Sequence, residues 1–277
     1  MRNRRAWILF VAVLCLASAC WLQAQAPASQ SSEPNLTEEQ MKEFLLRANV
    51  TASKRSSIGI TSPWILTLSD GTLTHDALFQ PVNERTPMKQ LADGRTELNF
   101  VDSYKYNIAA YELAKLLGMS DVIPVYVERQ WGRQIGSLSW WVTVKMDEGK
   151  RLQQRLQPPN PDAWNKQMFN FRVFNQLVQD TDPNLTNYLI TEDWKIWRVD
   201  FGRAFRLSRN LQSAKDLPMC GREVFAKLKA LNREEVQART RRYLTNGELT
   251  AMMARRDKLV AHFEQLVAQQ GEAAVLF

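Results

Sequence analysis

A short β-hairpin set among helical segments limits the folds that this chain can adopt. Two apolar segments, 187–191 and 194–199, have the length and composition of strands and are joined at Glu192-Asp193. Helical periodicity precedes the hairpin over 163–179 and resumes after residue 222. The pattern predicts an α+β protein in which one hairpin is held between helices.

Polar residues stand at the two ends of this hairpin. Asp182 lies five residues before Asn187, and Asp200 begins an Asp-Phe-Gly sequence at the far end. Antiparallel pairing across a tight turn predicts that Asn187 lies near Arg198, which puts Asp200 only about two residues, or roughly 7 Å, further along. Carboxylate and carboxamide oxygens suit Mg²⁺, and phosphoryl transfer also needs a carboxylate that orients the acceptor hydroxyl. The alternative is that Asp182-Pro183 and Asn184 form only a turn.

The first half of the chain has a different composition. Isoleucine, threonine, tryptophan and phenylalanine alternate with turn residues, which is typical of strands, and two helical segments interrupt them. We expect a strand-rich small lobe over 37–144 and a helical lobe over 145–277. The expected strands are 57–82, 122–129 and 136–144, and the expected helices are 38–48, 103–117, 163–179, 222–231, 233–244 and 247–270.

The N-terminus has the three parts of an export signal. Three arginines in the first five residues precede an apolar run over 6–19, and Ala24-Gln25-Ala26 is a small-x-small cleavage site. The run is shorter than the roughly 20 residues of a spanning helix. We therefore predict a signal peptide over 1–26, a flexible polar tether over 27–36 and an extracytoplasmic protein, periplasmic or secreted. Acylation of Cys20 as a lipoprotein, with membrane anchoring, is the alternative.

Charge and cysteine content narrow the function classes. Loss of residues 1–26 removes three of the 36 Lys and Arg and none of the 29 Asp and Glu, so the formal charge falls from +7 to +4. No basic run is interleaved with aromatic residues, which argues against a nucleic-acid partner. Only Cys220 remains after cleavage at Ala26, so an internal disulfide is excluded for that form.

The segment from Asp182 to Gly202 resembles the protein-kinase-like superfamily. Its Asp-x-Asn-x-x-Asn spelling, without His-Arg before the Asp, is most similar to the phosphatidylinositol 3- and 4-kinase, HipA-type toxin kinase and secretory-pathway (Golgi casein kinase) branches. The resemblance implies that Asp182 is the catalytic base and that Asn187 and Asp200 bind Mg²⁺ or Mn²⁺. It further implies that Asn184 is a neighbouring polar contact and that ATP is the nucleotide.

The first half supports the same resemblance. Residues 75–81, 100–113 and 122–125 are similar to the small lobe of secretory kinases, in which an Ala-x-Phe-Lys-Pro strand precedes a Glu-Ile-Ala-Ala helix and a Val-Pro-Pro turn. The resemblance covers roughly residues 56 to 206 and implies a two-lobed kinase-like fold. Gly59 is the only candidate for the glycine-rich loop.

Two residues depart from the kinase pattern. Gln80 stands where the resemblance implies the phosphate-binding Lys, and Asn107 stands where it implies the partner Glu. A neutral amide gives up most of the attraction that a Lys has for phosphate, although the two amides can hydrogen-bond without leaving a buried charge unpaired. Lys105, two residues before Asn107, is the candidate for a relocated phosphate contact. Lys89, a further candidate, is more typical of a solvated surface lysine.

Three other residues have weaker functional interpretations. His75 is a candidate metal or phosphate contact, but a lone histidine is more often a polar residue at a strand edge. Arg203 and Arg206 follow the Asp-Phe-Gly sequence and could bind anions or simply face solvent.

Two functions are consistent with these residues. The first is an exported, ATP-dependent kinase that phosphorylates a hydroxyl on a protein or lipid. The second is a pseudokinase-type module that binds a nucleotide, peptide or lipid headgroup and signals or scaffolds without catalysis. Retention of Asp182, Asn187 and Asp200 favours catalysis, whereas the missing Lys and Glu favour the binding module.

Overall fold

Strands dominate the chain up to residue 140. The computed structural model describes residues 36–56, 63–91, 94–182 and 184–277, so the predicted signal peptide, Cys20 and Gly59 lie outside it. Helix α1 (Glu38–Arg47) begins with a capping box in which Thr37 and Gln40 bond each other's backbone amides. The strands that follow are β1 (Asn49–Arg55), β2 (Trp64–Ser69), β3 (Thr74–Gln80), β4 (Asn83–Gln90), β5 (Thr96–Ser103), β6 (Tyr126–Trp131) and β7 (Gln134–Trp140).

Five of these strands form one antiparallel sheet in the order β1-β2-β3-β7-β6. Alternate residues of β2 and β3 point into the core, where Leu66, Leu68, Ala77 and Phe79 are fully buried. Helices α1 and α2 (Tyr104–Leu116) pack against β6 and β7. The sheet thus has an apolar face that is closed by helices.

β4 and β5 form a separate hairpin that we did not predict. Most of its side chains are exposed, and Pro87 interrupts β4, so its sequence lacks the alternation by which a strand is recognised. The hairpin leads directly into α2, whose N-cap is Ser103. It therefore fixes the start of the helix that carries Asn107.

Helices dominate the chain after residue 147. They are α3 (Glu148–Gln153), α4 (Pro161–Val178), α5 (Arg222–Ala230), α6 (Arg233–Thr240), α7 (Asn246–Gln270) and α8 (Glu272–Val275). The long helix α7 packs against α4, α5, α6 and α8. Thr37–Phe277 forms one compact unit. None of the helices within the described ranges is both long and apolar enough to span a bilayer.

The embedded hairpin is present and consists of β9 (Tyr188–Ile190) and β10 (Ile196–Arg198), with the two-residue β8 (Met146–Asp147) on the other side of β9. Its register differs by one residue from our expectation, because Arg198 pairs with Tyr188 and Val199 N donates to Asn187 O at 3.0 Å. The connection spans five residues, 191–195, rather than a tight turn at Glu192-Asp193. The shift brings Asn187 one position closer to Asp200.

Candidate functional site

The loop after α4 carries Asp182. Helix α4 ends at Gln179, whose φ of 49° turns the chain sharply out of the helix. Asp182 N then donates to Asp180 Oδ1 at 3.0 Å, which fixes the loop. The Asp182 carboxylate makes no hydrogen bond or ion pair with the residues that the structure describes. It is therefore chemically available as a proton acceptor.

The two asparagines of the loop have different environments. Asn184 Oδ1 accepts from Thr186 N at 3.0 Å and caps the short 3₁₀ turn Leu185–Asn187. Asn187 is only 8% exposed, and its Nδ2 atom has no hydrogen-bond partner in the described part of the chain. Asn184 thus has a local capping role, whereas Asn187 keeps an unused polar atom in a buried place.

Asp200 adopts an unusual backbone conformation at the end of β10. Its φ is 60°, in the left-handed region that few residues other than glycine occupy. Its Oδ1 accepts from Gly202 N at 3.3 Å and lies 3.5 Å from Gln80 Nε2. Strained backbone of this kind is concentrated at functional sites, where the surrounding structure maintains it.

Nearby charges act on the protonation of the acidic residues. Burial raises the pKa of Asp200, and the Asp182 charge raises it further, while the Gly202 amide and Arg198 oppose this. Burial also raises the pKa of Asp180 to about 6, although Asp180 forms an ion pair with the fully buried Arg198. The same guanidinium donates to Asp200 O at 3.2 Å. Arg198 thereby links the Asp182 loop to the Asp200 segment.

Gln80 and Asn107 form the neutral pair that their residue types allow. Asn107 Nδ2 donates to Gln80 Oε1 at 2.8 Å and lies 3.4 Å from Ser137 Oγ. Asn107 Oδ1 accepts from Phe201 N at 2.6 Å. Helix α2 is thus bonded directly to the Asp-Phe-Gly segment by a residue that is fully buried.

The structure does not bring Lys105 into this network. It precedes Asn107 by two residues, or about 200° around a helix, so the two side chains leave α2 in different directions. The Lys105 ammonium makes no hydrogen bond or ion pair within the described ranges. The contact with phosphate predicted for Lys105 therefore has no support in the geometry, and the one predicted for Gly59 lies outside the described residues.

His75, Arg203 and Arg206 have structural partners. His75 Nε2 lies 3.0 Å from Trp141 O, and its ring stacks on Trp140. Arg203 and Arg206 both pair with Glu97 in β5. The two arginines therefore share one carboxylate of the β4–β5 hairpin, which balances one of their two charges.

Asp102 is a residue of this site that we did not identify from the sequence. A Cβ atom built on Gly202 would lie 2.5 Å from Asp102 Oδ1 and 3.4 Å from Asp200 Oδ1, so the two carboxylates border the same small space. Burial and the Asp200 charge raise the pKa of Asp102 to about 6, while Arg203 and Lys89 oppose this. Its position directly before the N-cap of α2 is the signal that could have drawn attention to it.

The polar atoms present are compatible with a divalent cation. Among the described residues, no group of three or more His, Cys, Asp or Glu forms a complete metal cluster. The site instead combines carboxylates with a carboxamide, both of which are oxygen donors that Mg²⁺ and Mn²⁺ accept. Rotated by 180°, the buried Asn187 amide would offer an oxygen at a position that has no partner in the described ranges. This oxygen and the two carboxylate oxygens that border Gly202 fit such an ion.

Comparison with known proteins finds likeness of fold and no likeness of sequence. No family model matches the sequence, and no curated protein sequence matches it. A structure of hydra Fam20 with a sugar superposes with a TM-score of 0.63 at 14% identity, covering 89% of this chain and 93% of that one. The proinflammatory kinase CtkA of Helicobacter pylori gives a TM-score of 0.54 at 10% identity, covering 82% of this chain and 98% of that one.

These likenesses extend over most of both chains and include strand-rich and helical parts alike. The α+β class and the two-lobed kinase-like fold that we predicted are confirmed. The limits of the lobes at residues 144 and 145, and the roles of the site residues, stay predictions. This chain has a protein-kinase-like fold.

Proposed function

We propose that this protein is an exported phosphotransferase that moves a phosphoryl group from a nucleoside triphosphate, ATP, to a hydroxyl acceptor. The observation that carries the proposal is the arrangement of Asp182, Asn187 and Asp200 around one hairpin. Val199 N binds Asn187 O directly beside Asp200, and the Asp182 charge is close enough to act on the Asp200 carboxylate. The kinase-like fold supports the same assignment.

Asn187 and Asp200 would hold Mg²⁺ or Mn²⁺, which supplies positive charge to the phosphate oxygens. Asp182 orients the acceptor hydroxyl and takes its proton as the acceptor oxygen bonds to the γ-phosphorus. The bond between the γ-phosphorus and its bridging oxygen breaks, and the nucleoside diphosphate leaves with the electron pair. The unpartnered Asp182 carboxylate suits this role because no neighbour has to be displaced before it accepts the proton.

A second candidate function is nucleotide or peptide binding without catalysis. The specific observation in its favour is the neutral hydrogen bond between Gln80 and Asn107. By the resemblance, these two residues stand where active kinases have the Lys and the Glu. Gln80 Nε2 points to Asp200 and presents no positive charge to a phosphate. A pseudokinase-type module would keep the fold and the cation while transfer is lost.

The compartment and the acceptor belong to the proposal. The export signal over 1–26 supports a periplasmic or secreted protein, and Cys20 supports lipid anchoring as the alternative. The acceptor that we propose is a protein or lipid hydroxyl. Because the related hydra structure contains a sugar, a sugar hydroxyl is included as a third class to be assayed.

The test uses the mature protein and three isosteric variants, Asp182→Asn, Asp200→Asn and, as a matched control in the same hairpin, Asp193→Asn. Asp193 is exposed, and its hydrogen bonds in the described part of the chain are with Thr191 and Lys195 of its own loop. Transfer from labelled ATP is measured with protein, lipid and sugar acceptors, and nucleotide binding is measured by thermal shift with Mg²⁺. A ligand at 100 times its Kd should stabilise the protein by about 2.7 kcal/mol.

We expect Asp182→Asn to bind nucleotide like the wild type but to lose transfer by about 10²–10⁴-fold, because the base contacts the acceptor and not the nucleotide. Asp200→Asn should lose the metal-dependent part of nucleotide binding, and Asp193→Asn should change neither. Binding by the wild type with no transfer to any acceptor class would establish the pseudokinase alternative. Phosphoryl transfer that is unaffected by Asp182→Asn would show that Asp182 is not the catalytic base.

A further inference from the structure

Two carboxylates approach each other where β5 meets the Asp-Phe-Gly segment. Ser103 N donates to Gly202 O at 2.9 Å and holds the end of β5 against this segment. As a result Asp102 Oδ1 and Asp200 Oδ1 both face the position that a Cβ atom of residue 202 would occupy. A Cβ atom at residue 202 would lie 2.5 Å from Asp102 Oδ1, so glycine is the residue that permits this approach. The backbone thus positions two like charges side by side.

The basic residues nearby act on these two carboxylates from a distance, but none forms an ion pair with either of them in the described part of the chain. Lys89 forms an ion pair with Glu84, and Arg203 forms one with Glu97. Arg198 directs its guanidinium to Asp180 and to the backbone oxygen of Asp200 rather than to the Asp200 carboxylate. In the described part of the chain, no ion pair involves Asp102. Two partly buried carboxylates without a direct ion pair are costly when both are charged, and a cation bound between them would offset that cost.

Asn187 provides a second, independent indication of a ligand. Its side chain is buried and its Nδ2 position has no partner within the described ranges, although a buried amide without a partner costs about 1–3 kcal/mol. Rotation of the amide by 180° places its oxygen at this position, where it is a metal donor. Its backbone oxygen is bonded to Val199 N, directly before Asp200.

We propose that Asp102 and Asp200 together bind the divalent cation, with Asp102 supplying the carboxylate that Asn107 lacks. The inference rests on the proposed function, because it concerns the cation of the same cleft. Asn107 already accepts from Phe201 N with its oxygen and donates to Gln80 with its nitrogen, and its amide has no negative charge to offer an ion. Asp102 lies five residues earlier in the chain, and its Oδ1 atom borders the same position beside Gly202 as Asp200 Oδ1.

The experiment measures Mn²⁺ binding to the mature protein without nucleotide, by the electron paramagnetic resonance signal of the free ion. Asp102→Asn removes the negative charge of one ligand with little change in volume. Glu84→Gln is the matched control, because Glu84 is the register partner of Asp102 across β4 and β5 and carries the same charge. Even groups that only orient metal ligands change affinity by about 10–100-fold, so we expect Asp102→Asn to raise the Kd at least about tenfold. Glu84→Gln should change it less than about threefold, as a screened surface charge.

Asp200→Asn separates this inference from the proposed function. If Asp200→Asn weakens Mn²⁺ binding and Asp102→Asn does not, the role of Asp102 is wrong while the metal site of the proposed function stands. If both Asp102→Asn and Glu84→Gln weaken binding equally, Asp102 acts only through its charge and the inference also fails. Absence of Mn²⁺ binding by the wild type would contradict both the role of Asp102 and the metal site of the proposed function. Thermal melting confirms that each variant folds, and Asp102→Ser replaces Asp102→Asn if that variant does not.

Discussion

At the scale of single residues, the buried amide of Asn107 joins helix α2 to β3 and to the Asp-Phe-Gly segment by uncharged hydrogen bonds. Asn107 is bonded on one side to Gln80 and on the other to the backbone of Phe201. A kinase that uses Lys and Glu holds the same elements together by charge, and the pair is assembled only when the helix is correctly placed. The amides in this chain make the connection without charge. We infer that α2 is held against the Asp-Phe-Gly segment at all pH values near neutrality.

Asn107→Leu tests this connection. The substitution leaves Phe201 N and Gln80 Oε1 without their partner in a buried place, so we expect the free energy of unfolding to fall by about 1–3 kcal/mol. Ser137→Ala is the control, because Ser137 Oγ lies 3.4 Å from the same amide and its loss removes only a long hydrogen bond. Denaturant unfolding of both variants gives the comparison. If the free energy of unfolding falls equally in the two variants, the hydrogen bonds of Asn107 to Phe201 and Gln80 do not stabilise the fold.

At the scale of elements, the β4–β5 hairpin restrains the segment that follows Gly202. Glu97 in β5 pairs with both Arg203 and Arg206, and Arg206 Nη2 lies 2.5 Å from Glu97 Oε1. Thr181 N and Oγ1 additionally bond to Arg203 O. The largely exposed β4–β5 hairpin is thus connected, through Arg203, to the loop that carries Asp182. One carboxylate supplies both ion pairs of this connection.

Glu97→Gln should release this segment. Loss of the carboxylate leaves two adjacent guanidinium groups without their counter-ion, and like charges then repel. We expect faster amide hydrogen exchange over residues 203–207 with little change in α7. Glu84→Gln provides the control, because Glu84 belongs to the same hairpin but pairs with Lys89 instead. Unchanged exchange at 203–207 would mean that backbone bonds alone hold the segment.

At the scale of the whole molecule, a buried arginine ties three parts of the chain together. Arg255 of α7 is fully buried and donates to the carbonyl oxygens of Leu177, Arg206 and Ser208 and to the side chain of Gln179. No carboxylate accompanies it among these partners, and burial lowers the pKa of Arg255 to about 10. Its charge is therefore balanced by backbone and amide dipoles at the end of α4 and beyond the Asp-Phe-Gly segment.

Arg255→Met should destabilise the whole fold. The methionine fills much of the space but leaves several buried oxygens without a donor, and hydrogen bonds to charged groups contribute about 1.5–3 kcal/mol each. We expect the free energy of unfolding to fall by at least about 3 kcal/mol. Arg256→Met, the adjacent residue on the partly exposed side of α7, should cost less than about 1 kcal/mol. A loss for Arg255→Met no larger than that of Arg256→Met would refute this role.

Sequence patterns that lie within a single element predicted most of the helices and the candidate site of this protein. Helices α2, α4, α5 and α7 were predicted from apolar periodicity and turn residues, and each lies within a few residues of its expected limits. β1 and β4 were missed because both are largely exposed and carry no alternation. The spacing of Asp182, Asn187 and Asp200 indicated the site, because a hairpin brings its own two ends together whatever surrounds it.

Contacts between distant parts of the chain were decided only by the tertiary structure. Asp102 and Gly202 are a hundred residues apart, and nothing in the spacing of either predicts that Asp102 borders Asp200. The pairing of Glu97 with Arg203, and of Arg198 with Asp180, likewise depends on how the hairpins pack. Local sequence determines backbone conformation and the residue types that are available for chemistry. Which charges are buried together depends on the packing of whole elements, and that packing places Asp102 beside Asp200.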